Sequence, residues 1–209
     1  TATYQRTFAD IHSINLLAGP SYDKFNYDAS ELGNNNFITD AFLWNNMDAG
    51  TGTKITKSTS TENKMMSYFC RAGYILKNRY LLTATLRADG ASVFAKNNKW
   101  GYFPSVAAGW TMSEENFMRN IDWLSNLKLR LSWGQTGNAD ISTNAFASYG
   151  AQGSWINSDY KTVSGVMKSR LENPDLKWET TTEWNLGLDF GFLKSRITGS
   201  VELYQRVIS

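Results

Sequence analysis

The side chains that most often perform catalysis or bind metals are scarce in this sequence of 209 residues. Cys70 is the only cysteine and His12 the only histidine, which excludes an intrachain disulfide, a histidine triad and a cluster of cysteine or histidine ligands. The adjacent carboxylates Glu114 and Glu115 follow Ser113, an order typical of the first turn of a serine-capped helix. The sequence therefore predicts no catalytic residue, no metal site and no cofactor.

Aromatic side chains in two long polar segments are the remaining candidates for a binding site. The first segment spans about residues 28–62 and the second about residues 136–175. The candidate substrate contacts in these segments are Trp44, Trp155 and Tyr160. An aromatic ring offers an apolar face that can stack on a sugar ring or cover a peptide side chain. The alternative is a small satellite core, in which these rings and Phe42 hold a long loop together.

Alternation of apolar and polar residues with a period of two is the dominant pattern of the chain. In residues 127–134, three leucines and a tryptophan at odd positions alternate with lysine, arginine, serine and glycine at even positions. Such a pattern predicts a β-strand with one apolar and one polar face. The expected strands lie near residues 3–8, 13–18, 68–76, 80–89, 105–110, 127–134, 177–191 and 197–204. We therefore predict an all-β, antiparallel fold of about eight strands.

Composition restricts the class of this all-β protein. The formal net charge of +2 is too small and too dispersed to indicate nucleic-acid binding. The mean hydropathy is −0.40, and no apolar run approaches the ~18 residues that a transmembrane helix needs. A membrane β-barrel remains compatible with these values, because its strands alternate between lipid-facing and lumen-facing residues.

The connections between the expected strands alternate in length. Short turns are expected near residues 9–11, 77–79 and 194–196. Long polar segments span about residues 28–62, 90–101 and 136–175, and the connection 113–126 is intermediate. Short turns on one side and long loops on the other are typical of an outer-membrane barrel with periplasmic turns and extracellular loops. The alternative is a soluble β-sandwich with one wet face, such as a carbohydrate-binding module.

Five motifs are more specific than the strand pattern. In chain order they are Arg87-Ala-Asp-Gly-Ala-Ser-Val-Phe94, Asn97-Asn-Lys-Trp-Gly-Tyr-Phe-Pro-Ser105, Trp110-Thr-Met-Ser-Glu-Glu115, Gly134-Gln-Thr-Gly-Asn138 and Asn173-Pro-Asp-Leu-Lys-Trp-Glu179. Together with the strand pattern, they resemble the barrel of SusC/RagA-type TonB-linked outer-membrane receptors of Bacteroidetes, from about His12 to Tyr204. The chain departs from that family at Val93 and Ala95, where the family often has an arginine and a glycine.

The resemblance implies an internal segment of a larger transmembrane barrel. Residues 1–209 would form part of one barrel domain. We find no plug, TonB box, N-terminal domain or barrel-closing strand in this chain, so the outermost strands would face missing neighbours. The resemblance further implies outer-membrane lipid around the wall, a SusD-like surface lipoprotein and a TonB complex that acts through the missing plug. The substrate would be an oligosaccharide or a peptide, and no enzymatic activity is implied.

The same motifs have local physical interpretations. Asp89-Gly90 and residues 173–175 are typical of turns, and the glycines of residues 134–138 permit a positive φ where a strand enters a loop. Pro104 is expected at a bulge or where a ladder ends. Aromatic residues on the apolar face or near strand ends are expected at the lipid headgroups; they are Tyr74, Tyr80, Trp110, Trp133, Trp178, Phe190 and Phe192.

Two further expectations concern orientation. In residues 128–131, the leucines at 129 and 131 should face lipid, and Lys128 and Arg130 should face the lumen. The turns at 77–79 and 194–196 should be periplasmic, while segments 28–62 and 136–175 should be extracellular.

Overall fold

The computed structural model describes residues 1–118, 120–140 and 145–209. Ten strands make up most of the described chain: β1 (Ala2–Phe8), β2 (His12–Gly33), β3 (Ile55–Leu76), β4 (Tyr80–Ala91), β5 (Trp100–Thr111), β6 (Leu124–Asn138), β7 (Ser148–Ile156), β8 (Thr162–Arg170), β9 (Glu179–Phe192) and β10 (Ile197–Ile208). The helices are single 3-10 turns at Leu43–Asn45, Met47–Ala49, Lys96–Asn98 and Met112–Glu114. No helix in the described ranges has the length and hydrophobicity needed to cross a membrane.

Eight of the strands form one sheet in the order β1-β2-β3-β4-β5-β6-β9-β10. The eight predicted strands are those of this sheet, and the all-β antiparallel class is confirmed. Most of the strands are longer than the alternation predicted. Strands β2 and β3 have 22 residues each, so the connection between them is reduced to residues 34–54. The edge strands of the sheet are β1 and β10.

The predicted long loop 136–175 contains a separate two-stranded sheet. Strands β7 and β8 pair antiparallel within it, with a register shift between Ala151 and Ser154. The alternation did not predict this hairpin, because glycine and serine interrupt it in both strands. The part of the predicted loop at residues 141–144 lies outside the described residues.

The chain divides into two compact units. The first comprises Thr1–Tyr22 and Met65–Ser209, and it contains β1, the halves of β2 and β3 nearer the short turns, and β4 to β10. The second comprises Asp23–Lys64, in which the distal halves of β2 and β3 carry the connection 34–54. Ion pairs support this second unit at Lys24–Glu62 (2.6 Å) and Lys57–Glu31 (3.2 Å).

The apolar face of the sheet is the exposed face. On β6, Leu129 and Leu131 are exposed, whereas Lys128 and Arg130, which alternate with them, are half-buried. The same inversion holds on β4, where Leu82 and Leu86 are exposed and Thr83 and Thr85 are half-buried. A soluble sheet buries its leucines and exposes its charges, because the hydrophobic effect favours that arrangement in water. A barrel wall in lipid has the opposite polarity.

The tight turns use left-handed backbone conformations. The turns joining β1–β2, β3–β4 and β9–β10 are the three predicted short ones, and they contain residues with positive φ: Ala9, Asp10, Lys77, Asn78, Leu193, Lys194 and Ser195. Short hairpin turns of this kind match the right-handed twist of the flanking strands. All three turns lie at the same end of the sheet. Each joins two neighbouring antiparallel strands at that end, and the long connections join the strands at the opposite end.

Four of the five sequence motifs meet in one small core at the long-loop end of the sheet. Phe94 is fully buried, and its ring centroid lies 5.0 Å from that of Trp178. Phe103 packs edge-on against Trp178 at 5.4 Å, and Trp178 Nε1 donates a hydrogen bond to the Lys99 carbonyl (3.1 Å). The prediction that Trp178 lies at the lipid headgroups is therefore wrong; it is buried in this core.

The glycines of residues 134–138 are needed for packing rather than for a positive φ. Both remain within β6, and neither has a left-handed backbone. A methyl group at Gly137 would overlap the ring of Phe103, and one at Gly134 would lie 2.9 Å from Ser105 Cβ. The predicted loop entry is wrong, because close approach of a neighbouring ring sets these positions.

Asp89-Gly90 does not form the predicted turn. Both residues lie in β4, where Asp89 is paired in register with Gly101 and is buried. Its carboxylate accepts two hydrogen bonds from Arg87 Nε (2.7 and 2.8 Å), and Arg87 Nη2 donates to the buried Ser67 hydroxyl (3.0 Å). An ion pair on the polar face therefore explains this aspartate.

Two other local predictions had different outcomes. Pro104 lies where the β5–β6 ladder ends, since that pairing begins at Ser105, and the turn at residues 173–175 forms with a hydrogen bond from Leu176 N to Asn173 O (3.3 Å). Ser113 is not a helix cap, because the 3-10 turn begins at Met112 and has no side-chain cap bond. Arg119, in the same predicted helical segment, lies outside the described residues.

Candidate functional site

Ion pairs cross the polar face from strand to strand. Arg130 on β6 donates from Nε and Nη2 to the two carboxylate oxygens of Asp189 on β9, both at 2.8 Å. Its Nη2 also donates to Glu202 on β10 (2.7 Å). Gly187 lies beneath the guanidinium, where a Cβ would be 2.9 Å from Nη2. Bidentate pairing of this kind fixes side-chain geometry and compensates the cost of charges in a partly desolvated wall.

A polar trough of about 580 Å³ lies beside this network on the same face. Six of the fourteen residues that line it carry short hydroxyl side chains: Thr83, Thr85, Ser105, Ser132, Thr136 and Thr181. Arg71 stands at one side, and the ion pair of Arg206 with Glu183 (2.7 Å) stands at the other. The trough can solvate polar solute or polar protein groups, because hydroxyls both donate and accept hydrogen bonds.

The opposite, apolar face carries a shallow depression of about 650 Å³ with an almost wholly apolar lining. Its lining includes small side chains, among them Ala18, Cys70, Ala72 and Ala84, together with Leu86 and Val106. The sheet therefore presents hydrogen-bonding groups to one side and hydrocarbon to the other, as a membrane wall requires.

The sequence did not predict a hydrogen-bond cluster around one carboxylate at the short-turn end of the sheet. Glu115 accepts hydrogen bonds from the Tyr80 hydroxyl (2.6 Å), Trp110 Nε1 (3.1 Å) and Arg79 Nη1 (3.0 Å). These donors, above all Tyr80, hold the pKa of Glu115 below its ordinary value. The predicted helix-terminal role of Glu115 is therefore wrong. Its position five residues after Trp110 was the only signal in the sequence.

The three aromatic candidates are all exposed. Trp44 is 75% exposed in the 3-10 turn of the second unit, Trp155 is 67% exposed on β7, and Tyr160 is 90% exposed at the β7–β8 turn. The hairpin places Trp155 and Tyr160 on one element, while Trp44 belongs to the other unit. Such exposure does not fit a satellite core, and it leaves these rings accessible to a ligand.

The described side chains provide no cluster of metal ligands. Within the described ranges, no group of three histidine, cysteine, aspartate or glutamate side chains could hold a metal ion. The carboxylates of the polar face are instead engaged by arginines, as at Asp189 and Asp89.

The family model for the TonB dependent receptor-like β-barrel matches residues 1–209. The TonB-dependent receptor SusC of Bacteroides thetaiotaomicron is 47% identical over 153 residues, which are 70% of this chain and 15% of SusC. The TonB-dependent receptor P39 of Formosa agariphila is 36% identical over 201 residues, which are 96% of this chain and 19% of that receptor.

Solved structures agree with these sequence relatives. A structure of the RagAB peptide transporter matches with a TM-score of 0.85 and 25% identity, over 99% of this chain and 22% of the matched chain. The RagAB peptide importer in its open-open state matches with a TM-score of 0.80 and 26% identity. The chain thus spans only about a fifth of the length of these proteins. It belongs to the TonB-dependent receptor β-barrel family, in the SusC/RagA group, and forms part of a barrel in the bacterial outer membrane.

Proposed function

We propose that this chain forms wall and extracellular loops of an importer that carries a large nutrient, an oligosaccharide or a peptide, across the outer membrane. The observation that carries the proposal is the inverted polarity of the sheet. Leu129 and Leu131 are exposed, and the charges of Lys128 and Arg130 are half-buried on the other face. That arrangement suits lipid on one side and a hydrated path on the other.

The proposed importer works with other proteins. A SusD-like surface lipoprotein covers its extracellular loops, and a TonB complex acts through a plug outside this chain. The similarity to SusC and to the RagAB peptide transporter supports both parts of this proposal. Residues 1–209 contribute to one barrel domain of the importer, and outer-membrane lipid surrounds their apolar face.

The chain performs no covalent chemistry on its cargo. One cysteine and one histidine in 209 residues support this, as do arginine partners for the polar-face carboxylates. Trp44, Trp155 and Tyr160 contact the substrate through their ring faces, and their exposure supports that role. A soluble carbohydrate-binding module is the rival function, but a sandwich would bury the leucines that are exposed here.

The proposal is tested by deleting the gene that encodes the full-length protein. The deletion strain and a complemented strain are grown on a panel of single oligosaccharides and short peptides at limiting concentration. We expect loss of growth on one chemical class and recovery by the intact gene, provided that TonB is present. Equal growth of both strains on every compound would refute the importer. Recovery by a version secreted without a membrane barrel would favour the soluble module.

A further inference from the structure

Asparagine side chains close the base of the loop that carries Trp44. Asn34 Nδ2 donates two hydrogen bonds across the loop, to the carbonyls of Met47 (2.9 Å) and Gly50 (2.7 Å). Thr51 N and Oγ1 both bind the Asn36 carbonyl on the opposite side, at 3.3 and 3.0 Å. Residues far apart in sequence are thereby joined before the loop extends outward.

The side chain of Asn35 also forms a hydrogen bond across the loop, but through its amide oxygen. Its Oδ1 accepts a hydrogen bond from Thr53 N (3.0 Å), and its main-chain carbonyl accepts one from Gly52 N (3.0 Å). The side chains of Asn34 and Asn35, called the asparagine latch below, therefore work in opposite senses. Across the loop the first acts as a donor and the second as an acceptor, while Asn34 Oδ1 also accepts a hydrogen bond from Asn35 N (2.9 Å).

Two glycines fit closely against the latch. A methyl group at Gly52 would overlap Asn35 Oδ1, and one at Gly50 would lie 2.7 Å from Asn34 Cγ. The latch therefore requires the absence of a side chain at both positions. Such close approach to an amide group is a specific packing reason for glycine.

The loop that the latch closes has an energetically unfavourable tip. Leu43, next to Trp44, has a φ of 47°, a left-handed conformation that a leucine rarely adopts. Strained backbone of this kind persists only when the surroundings over-determine it, and it concentrates at functional sites. The tip nevertheless leaves the ring of Trp44 exposed to solvent, with no core to bury it.

We propose that Asn34 and Asn35 are positioning residues, which hold the loop tip in one conformation before substrate arrives and so present Trp44 to its ligand. The ligand chemistry is an apolar face, either of a sugar ring or of a peptide side chain. Ordering the loop in advance raises affinity, because the entropy of ordering is not lost on binding. This inference rests on the proposed function for its ligand, but the latch itself can be tested without one.

The first test measures mobility of the loop tip. A nitroxide at residue 45, in an otherwise cysteine-free full-length receptor, reports motion beside Trp44 by electron paramagnetic resonance. We expect a spectrum typical of slow nitroxide motion for the parent and one typical of fast motion for Asn35→Ala. Asn35→Asp should keep the slow-motion spectrum of the parent, because an aspartate still accepts the hydrogen bond at that position. Asn34→Asp should give the fast-motion spectrum, because an aspartate cannot donate. Equal mobility in all four proteins overturns the latch and leaves the importer untouched.

The second test measures the role of the latch in uptake. For the panel compound whose uptake requires the receptor, Asn35→Ala should raise the half-saturating concentration roughly fivefold, in keeping with the cost of ordering one or two side chains. Asn46→Ala in the same loop is the matched control. In a Trp44→Ala background, Asn35→Ala should add no further loss, because the asparagine acts through the indole. Additive losses would overturn the positioning role.

The two failures are distinguishable. If every panel compound enters without the receptor, the proposed function fails while the resonance spectra still decide whether the latch exists. If one compound requires the receptor but Asn35→Ala leaves its uptake unchanged, the importer stands and the positioning role is refuted. A dependence on an oligosaccharide or on a peptide identifies which apolar face Trp44 meets.

Discussion

An arginine placed at Leu131 should strongly destabilise the full-length receptor in a bilayer. Leu131 lies midway along β6, and 49% of its side chain is exposed on the apolar face of the sheet. An arginine on the lipid face near the bilayer midplane costs roughly 2–4 kcal/mol. That cost corresponds to a loss of about 30- to 700-fold in the ratio of folded to unfolded protein.

The matched control is an arginine at the next residue, Ser132. The introduced charge and the depth in the membrane are nearly the same at both positions. Ser132, however, lines the polar trough of about 580 Å³, and Glu183 is another of its lining residues. The new side chain then remains hydrated, so its cost should fall well below that of Leu131→Arg. Comparison of the two variants isolates the effect of the face.

The assay measures folding of the full-length receptor into lipid vesicles as a function of urea concentration. The folded fraction is read from gels, in which a folded barrel migrates differently before and after heating. Nitroxides at residues 131 and 130 add a direct measure of lipid contact. Residue 131 should be reached by dissolved oxygen and residue 130 by a water-soluble quencher. Equal costs for the two arginine variants, or a residue 131 shielded from both quenchers, would place Leu131 in a protein core and refute the barrel-wall assignment.

Three further changes test other parts of the structure. Gly137→Ala should destabilise the receptor by about 1–3 kcal/mol through overlap with Phe103, and Phe103→Leu should recover part of the loss in urea titrations. The pKa of Glu115 is lowered from 4.5, so its contacts stabilise the fold above pH 4.5 and are lost as the pH falls through the folded value. Glu115→Gln should therefore lower the denaturation midpoint at neutral pH, and its difference from the parent should shrink in acid; a constant difference would contradict the assignment. In a cysteine-free background, Ser158→Cys should react with a membrane-impermeant reagent on intact cells and Asn78→Cys only after permeabilisation, and the reverse result would invert the topology.

The sequence alone determined the class of fold and the polarity of its wall. A period of two places the side chains at 129 and 131 on one face of β6 and those at 128 and 130 on the other, whatever the neighbouring strands are. Turn and loop lengths then indicated an antiparallel sheet with all short turns on one side. Both are local properties of the chain, and for that reason they could be predicted.

Only the tertiary structure decided what the motif residues do. Asp-Gly at 89–90 is typical of a turn, but the guanidinium of Arg87 and the hydroxyl of Ser67 make the strand conformation favourable for it. Gly137 has no backbone requirement of its own, and the ring of Phe103 from another strand explains it. Contacts between residues distant in sequence leave no periodic trace, so no local pattern could reveal them.

Some features of the candidate site could likewise be predicted from the sequence, and others depend on the tertiary structure. Composition and loop position selected Trp44, Trp155 and Tyr160 as candidates, and the structure adds that all three rings are exposed; their contact with substrate stays a prediction. The asparagine latch was not predictable, since a run of asparagines indicates only a loop until the carbonyls of Met47 and Gly50 are brought within hydrogen-bonding distance. Sequence determines which groups can donate and accept hydrogen bonds, whereas the path of the folded backbone decides which of them meet.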